Sequence, residues 1–173
     1  MIEIFAEAIW LILPAYIANS SAVLIGGGKP IDFGKKWRGK PILGEGKTWR
    51  GLAGGIICGF ISGIILNKIW NLFGYGLSSF LIILSLSCGA LLGDIAKSFL
   101  KRRLNIARGK PLPILDQIDF LLGAFFLAFI VNKEWFLSSF TIYHILFLLI
   151  LTPILHLVTN IIAYLLGLKN VPW

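Results

Sequence analysis

The chain has 173 residues, of which 57% are hydrophobic and only 14% are charged. A water-soluble domain carries roughly 25% charged residues, so this composition excludes that class, along with disordered and collagen-like chains. It predicts an integral membrane protein. The net charge is nevertheless +8, from 16 Lys and Arg against 8 Asp and Glu, and the placement of these charges is informative.

Five apolar stretches are long enough to cross the roughly 30 Å hydrocarbon layer as helices of about 20 residues. They cover residues 4–25, 51–72, 77–99, 114–132 and 135–168. The last is too long for one straight span, so we expect residues 135–141 to lie at the interface and Pro153 to kink the following helix. Continuous apolar runs disfavour a β-barrel. The predicted fold is all-α and polytopic, with one transmembrane domain over residues 1–173.

The basic residues gather in two windows, seven between Lys29 and Arg50 and six between Lys97 and Lys110. They lie in or next to the connections after the first and third spans, so both windows face the same side of the membrane. The positive-inside rule makes that side cytoplasmic, with the N-terminus outside and the C-terminus inside. We expect cytoplasmic loops at about residues 26–50 and 100–115, and no cleavable signal peptide.

Basic loops often only set topology or contact anionic lipid, but here acidic residues accompany them. In the third span, Asp94, Lys97, Ser98 and Lys101 follow the i, i+3, i+4, i+7 spacing of one helical face. An ionisable residue in a membrane span is costly to bury and is a functional candidate. A simple ion pair within the helix would also explain Asp94 alone.

Two further carboxylates, Asp116 and Asp119, share a helical face at the start of the fourth span. Three carboxylates at the cytoplasmic ends of two spans, among basic residues, suit a divalent cation and phosphate. Mg²⁺ takes one or two carboxylates and completes its coordination with water and substrate phosphates. The sequence therefore predicts a magnesium and phosphate site.

The first basic window ends in the stretch GEGKTWRG, residues 44–51, as the second span begins. Glycines leading into a helix N-terminus expose backbone N–H groups that favour phosphate. The glycine spacing and the preceding strand of a P-loop are absent, so nucleotide hydrolysis of that type is rejected. Lys47, Thr48 and Arg50 are candidates for binding phosphate.

Three motifs, in order, resemble those of CTP-dependent cytidylyltransferases that make CDP-activated membrane lipids. They are GKTWRGLAGG (46–55), GDIAKSFLKRR (93–103) and LDQIDF (115–120). The chain departs from the bacterial CDP-diacylglycerol synthases in its short length, in lacking a Pro-Gly-His-Gly-Gly run, and in carrying Arg50 and Gln117 where those enzymes have Glu and Arg. These departures and the five-span plan resemble the archaeal branch, the CDP-archaeol synthases.

This resemblance implies a membrane nucleotidyltransferase that condenses CTP with an ether-linked isoprenoid glycerol phosphate and releases pyrophosphate. It implies Mg²⁺ as cofactor, no nucleic-acid partner, and an active site on the cytoplasmic side of the cell membrane. Asp94, Asp116 and Asp119 would be the metal ligands and, with Lys97, the catalytic residues. The residues expected to bind CTP or phosphate are Lys47, Thr48, Arg50, Ser98, Lys101 and Arg102.

Two other classes of membrane protein stay open from the residues alone: a small anion transporter, and a non-catalytic protein that binds anionic lipid. The first would place charges deep in several spans, and the second has no need of three aspartates. Base selectivity, the number of metal ions and the oligomeric state are left open. Asn19 and Ser20 are interpreted as helix-packing residues, with a position facing the site as the alternative. Four further residues of the spans are interpreted as structural: Cys58, Cys88, His144 and His156.

Overall fold

The structure is a computed structural model that describes residues 2–72, 79–107 and 110–165. Within these ranges the chain forms six helices and one two-stranded antiparallel hairpin. In chain order the elements are α1 (Ile2–Ile25), β1 (Lys36–Trp37), β2 (Lys40–Pro41), α2 (Trp49–Leu72), α3 (Phe80–Arg103), α4 (Leu115–Val131), α5 (Lys133–Ser139) and α6 (Ile142–Leu165). The all-α prediction is confirmed, and the small hairpin is the element that it missed.

Four of the described helices, α1, α2, α3 and α6, are long and apolar enough to cross a membrane. The expected fourth span corresponds to α4, which has 17 residues and carries Asp116 in its first turn. The membrane class is therefore confirmed, whereas a fifth crossing stays a prediction. The expected start of the third span at residue 77 and the end of the last at 168 lie outside the described residues.

Several helix ends differ from the predicted bounds. Helix α3 continues past the predicted end at residue 99 to Arg103. The prediction stopped where the apolar run ends, but the basic residues that follow it form the last turn of the same helix. The expected interfacial segment is the short helix α5, which begins where the Asn132 side chain accepts a hydrogen bond of 2.9 Å from the Trp135 N–H. Pro153 lies inside α6.

Helices α1 and α2 pack along a row of glycines. Gly51, Gly55, Gly59 and Gly63 recur every fourth residue of α2 and are buried. A Cβ atom on Gly59 would lie 2.7 Å from the carbonyl oxygen of Pro14. The two backbones are therefore in direct contact, an arrangement that small residues make possible between membrane helices.

Helices α3 and α4 are held equally close by glycines on both partners. A Cβ atom on Gly123 would lie 2.2 Å from the Gly89 carbonyl oxygen, and one on Gly93 would lie 2.2 Å from the Asp119 carbonyl oxygen. Fully buried aliphatic side chains fill the space between α1, α3, α4 and α6, including Ile12, Ile82, Leu86, Leu121 and Leu148. The charged ends of α3 and α4 are thereby brought side by side.

Candidate active site

The connection between α1 and α2 is organised around Asp32. Its buried carboxylate accepts hydrogen bonds from the backbone N–H groups of Gly34 (3.0 Å), Leu43 (2.8 Å) and Gly44 (2.9 Å). Burial alone would raise the pKa of Asp32, but these donors outweigh it and hold the pKa below its usual value. One ionised side chain thus ties the two ends of the hairpin segment together.

The hairpin is fixed to the end of α3 by Arg103. The guanidinium donates hydrogen bonds to the carbonyl oxygens of Trp37 (2.9 Å) and Pro41 (2.5 Å). It also packs over the rings of Trp37 and Phe99, with 5.2 and 5.3 Å to the ring centroids. The first basic window therefore folds over the C-terminal end of α3, the end that is predicted to face the cytoplasm.

The glycine-rich stretch leads into the N-terminus of α2. Thr48 is buried, and its hydroxyl accepts a hydrogen bond from the Gly51 N–H at 3.1 Å, as an N-cap residue does. This geometry directs Lys47 towards α3, where its ammonium forms an ion pair with Asp94. The first basic window therefore reaches α3 at this contact, three residues before the second window begins.

Lys97 lies at the centre of the acidic residues. Its Nζ is 3.1 Å from Asp94 Oδ1, 2.9 Å from Asp119 Oδ2 and 3.6 Å from Asp116 Oδ1. Asp116 also accepts a hydrogen bond from Lys101 Nζ at 2.8 Å. We call these five residues the charged cluster. It brings together two residues of α4 and three of α3, and Lys47 approaches it from the loop.

The carboxylate of Asp119 is the most buried of the three, with its residue 5% exposed. Its Oδ2 is close to Lys97 but has no partner in hydrogen-bond geometry, so the contact is an ion pair only. Among the described residues, no three acidic, cysteine or histidine side chains gather closely enough to hold a metal by themselves. An incompletely bonded oxygen beside two other carboxylates still fits a Mg²⁺ ion that takes its remaining ligands from substrate phosphates.

Three polar cavities border the charged cluster, and each is defined by its walls. The glycine-loop chamber, of about 310 Å³, lies between residues 45–48, α1, α2 and Asp94. The hairpin chamber, of about 450 Å³, lies between the hairpin segment and the ends of α3 and α4. The α6 chamber, of about 300 Å³, lies between residues 110–117 and α6. Substrates can therefore approach the cluster from more than one side.

A fourth cavity is an apolar groove of about 500 Å³ between α3 and α4, which we call the α3–α4 groove. Its walls include Leu92, Leu122 and Phe126, whose side chains are exposed on the outer surface of the helices. Lys97 and Asp119 close its polar end. The groove connects the apolar surface directly with the charged cluster.

Comparisons with known proteins agree with this geometry. A family model described as "CarS-like: CDP-archaeol synthase" matches residues 1–173. The chain belongs to the CDP-archaeol synthase family. It is 51% identical to the CDP-archaeol synthase of Pyrococcus horikoshii, covering 96% of each chain, and 47% identical to that of Methanosarcina barkeri, covering 93% of this chain and 99% of the relative.

A solved structure described as an intramembrane enzyme for archaeal membrane lipid biosynthesis superposes with a TM-score of 0.78. It is 36% identical in sequence, and the match covers 91% of this chain and 94% of that one. The resemblance to CDP-archaeol synthases is thus confirmed, and with it a membrane enzyme of lipid biosynthesis. The comparisons favour this activity over the transporter and the lipid-binding protein.

The expected site residues of this CDP-archaeol synthase family member fall into three groups. Those in the charged cluster or bordering it are Lys47, Asp94, Lys97, Lys101, Asp116 and Asp119. Thr48 lines the glycine-loop chamber, Ser98 and Arg102 line the hairpin chamber, and the Ser98 hydroxyl donates to the Asp94 carbonyl oxygen at 2.9 Å. Arg50 is exposed on the first turn of α2 and is not among the residues that line the three polar chambers.

Sequence reasoning missed four residues of this region. Asp32 precedes Gly34 in an Asp-x-Gly pattern typical of a turn in which the carboxylate binds backbone N–H groups. Gln117, His156 and Asn160 line the α6 chamber. The spacing of His156 and Asn160, four residues apart in an apolar helix, is the signal that could have indicated a shared polar face.

Proposed function

We propose that the charged cluster catalyses condensation of CTP with 2,3-di-O-geranylgeranylglycerol 1-phosphate, giving CDP-archaeol and pyrophosphate. The names of the relatives support this reaction. The observation that carries it is the position of Asp94, whose carboxylate pairs with both Lys47 of the glycine-rich stretch and Lys97. Lys97 in turn pairs with Asp119 of α4. A phosphate-binding loop and an acidic cluster then act at one point.

In this reaction an oxygen of the lipid phosphate attacks the α-phosphorus of CTP, and the bond from that phosphorus to the pyrophosphate oxygen breaks. Both reactants are anions, so the protein must offset their repulsion and hold them in line. Lys47 and Lys101 border the chambers on either side of Lys97. These ammonium groups stabilise the charge that develops on the phosphoryl oxygens.

Asp94, Asp116 and Asp119 would hold Mg²⁺ in this proposal, since their oxygens are of the type that the ion prefers. When bound, the ion would offset negative charge on the triphosphate. Lys97, which ion-pairs with all three carboxylates, would hold them at fixed distances from one another. It would also donate hydrogen bonds to the phosphates once these enter the site.

In the membrane, we propose that α4 also crosses the bilayer, which gives five spans in all, and that the charged cluster faces the cytoplasm. The basic windows support this orientation by the positive-inside rule. The isoprenoid chains would stay in the bilayer and reach the site through the α3–α4 groove, whose apolar walls end at Lys97 and Asp119. Only the phosphate of the lipid would then leave the hydrocarbon layer.

The test is lipid-dependent release of pyrophosphate from CTP in detergent or vesicles with Mg²⁺. We expect Asp94→Asn and Asp116→Asn to lose activity by about 100-fold or more, because each removes a proposed ligand of the Mg²⁺ ion that would stabilise charge at the phosphoryl group. Glu134→Gln, which changes an exposed carboxylate on α5, is the matched control and keeps its activity. Wild-type rates in both folded aspartate variants would contradict the assignment of these residues. Absence of CTP turnover by the wild type with any lipid phosphate would contradict the reaction itself.

A further inference from the structure

The hairpin chamber and the α6 chamber lie on either side of one cationic wall. Lys97, Lys101 and Asp116 line both chambers. The hairpin chamber is completed by residues of the loop between α1 and α2, and the α6 chamber by Gln117, His156 and neighbouring residues. The same two ammonium groups can therefore contact one anion in each chamber.

Displacement at phosphorus needs the attacking and leaving oxygens on opposite sides of the reacting atom. This step rests on the proposed function, in which the triphosphate of CTP contacts the glycine-rich stretch. Residues 44–47 of that stretch line the hairpin chamber, so the triphosphate would lie there. The acceptor phosphate must then arrive from the far side of Lys97 and Lys101. The α6 chamber is the polar cavity on that side, and it shares Lys97 with the α3–α4 groove through which the lipid chains would enter.

Two of the three side chains that α6 contributes to this chamber, His156 and Asn160, are polar, although their surroundings on the helix are apolar. Leu155, Leu157 and Val158 are exposed apolar neighbours of His156. Polar side chains placed in such a segment are costly in a bilayer and are functional candidates.

The two polar side chains that α6 contributes to the chamber, His156 and Asn160, form a hydrogen-bonded pair. The Nδ2 of Asn160 lies 3.0 Å from the Nδ1 of His156. An amide nitrogen only donates, so Nδ1 must accept, and a neutral His156 then carries its proton on Nε2. The Nε2–H of His156 and the amide N–H groups of Asn160 are therefore donors of the kind that phosphate oxygens accept.

We infer that the α6 chamber binds the phosphate monoester of the lipid acceptor, with His156 and Asn160 as its neutral donors opposite Lys101. Gln117 adds a third neutral side chain to the wall. Neutral donors orient a phosphate without withdrawing as much charge from its oxygens as another cation would, which preserves the nucleophile. The leaving pyrophosphate has the same chemistry, and the experiment separates the two.

The experiment compares His156→Phe and Asn160→Leu with the wild type, varying the lipid phosphate at saturating CTP and then CTP at saturating lipid phosphate. Each variant removes the donor while keeping a side chain of similar size. We expect the KM for lipid phosphate to rise about tenfold, which corresponds to 1.4 kcal/mol. The KM for CTP, inhibition by added pyrophosphate and Mg²⁺-dependent thermal stabilisation by CTP should stay within twofold of wild type.

Thr159→Val is the matched control, since Thr159 lies between these residues, is exposed and hydrogen-bonds through its hydroxyl to the carbonyl oxygen of Leu155. It should leave both KM values unchanged. An unchanged lipid KM in either folded variant overturns the inference. A changed CTP KM or weaker pyrophosphate inhibition, with the lipid KM unchanged, assigns the chamber to the leaving group and also overturns it. Loss of turnover in the wild type would instead contradict the proposed function.

Discussion

Two helix pairs, α1 with α2 and α3 with α4, both pack closely through glycines, but the close packing has a different consequence in each pair. In the first pair, Gly59 lies against the Pro14 backbone, and the other atoms nearest to it belong to the uncharged side chains of Ala18 and Ser87. In the second, Gly93 lies against the backbone of Asp119 and directly precedes Asp94. Close packing in the first pair joins two helices, whereas in the second it also sets the distance between two carboxylates of the site.

The largest break in this comparison is expected from Lys97→Met. It leaves Asp94, Asp116 and Asp119 without their shared cation in the α3–α4 pair, and breaking a buried ion pair costs about 3–5 kcal/mol. The melting temperature in detergent and the rate of pyrophosphate release should both fall sharply. Lys68→Met, which removes an exposed lysine of α2, should change neither. A Lys97→Met protein as stable as the wild type would show that the ammonium does not hold the carboxylates.

A second test places one methyl group at each glycine contact. Gly93→Ala puts its Cβ 2.2 Å from the Asp119 carbonyl oxygen, and Gly59→Ala puts its Cβ 2.7 Å from that of Pro14. Overpacking of this kind costs about 1–3 kcal/mol. Both variants should unfold at lower temperature, but the rate per folded molecule should fall mainly for Gly93→Ala. Equal residual rates in the two variants would contradict the difference between the pairs.

The smallest expected effect concerns Asp32, which shapes the loop that connects the two helices of the first pair. Asn in its place turns one acceptor oxygen into a donor facing backbone N–H groups, at about 1–2 kcal/mol. The pKa of Asp32 is lower in the folded protein than in the unfolded chain. The ionised carboxylate therefore contributes its full share to the free energy of unfolding above about pH 4, the unfolded pKa, and this share is lost as the pH falls through the folded pKa.

We therefore expect the melting temperature of the wild type to exceed that of Asp32→Asn at pH 7, and the gap to narrow below pH 4. Asp32→Asn should also raise the KM for CTP several-fold, because the hairpin chamber loses its shape. Melting curves between pH 3 and pH 7 check the first point and initial rates the second. A gap that stays constant over this range would show that the carboxylate charge contributes nothing.

The helices and the charged cluster were largely predictable because each leaves a local pattern. Apolar runs of sufficient length gave α1, α2 and α6 within a few residues of their observed bounds. The i, i+3, i+4, i+7 spacing placed Asp94 and Lys97 on one face of α3, and the structure joins them at 3.1 Å. Helical periodicity decides such contacts before any tertiary structure forms.

The rest depends on contacts between distant parts of the chain. The hairpin has strands of two residues and a turn with Arg38 at φ 52°, so neither hydropathy nor alternation reveals it. Asp32 and Arg103 looked like ordinary members of basic segments, and their roles follow from backbone partners that only the folded loop supplies. His156 was interpreted as structural because its relation to Lys101 across the α6 chamber is invisible in sequence.

The ion pairing of the charged cluster has a consequence for how charged ligands reach it. Lys47, Lys97 and Lys101 match the three aspartates in number, so the net charge of +8 resides entirely on other residues. Long-range attraction of an anionic nucleotide then comes from the surrounding lysines and arginines, over a distance of about 8 Å at physiological ionic strength. Raising the salt concentration slows capture from solution, while the contacts inside the cluster, shielded from bulk ions, are affected least.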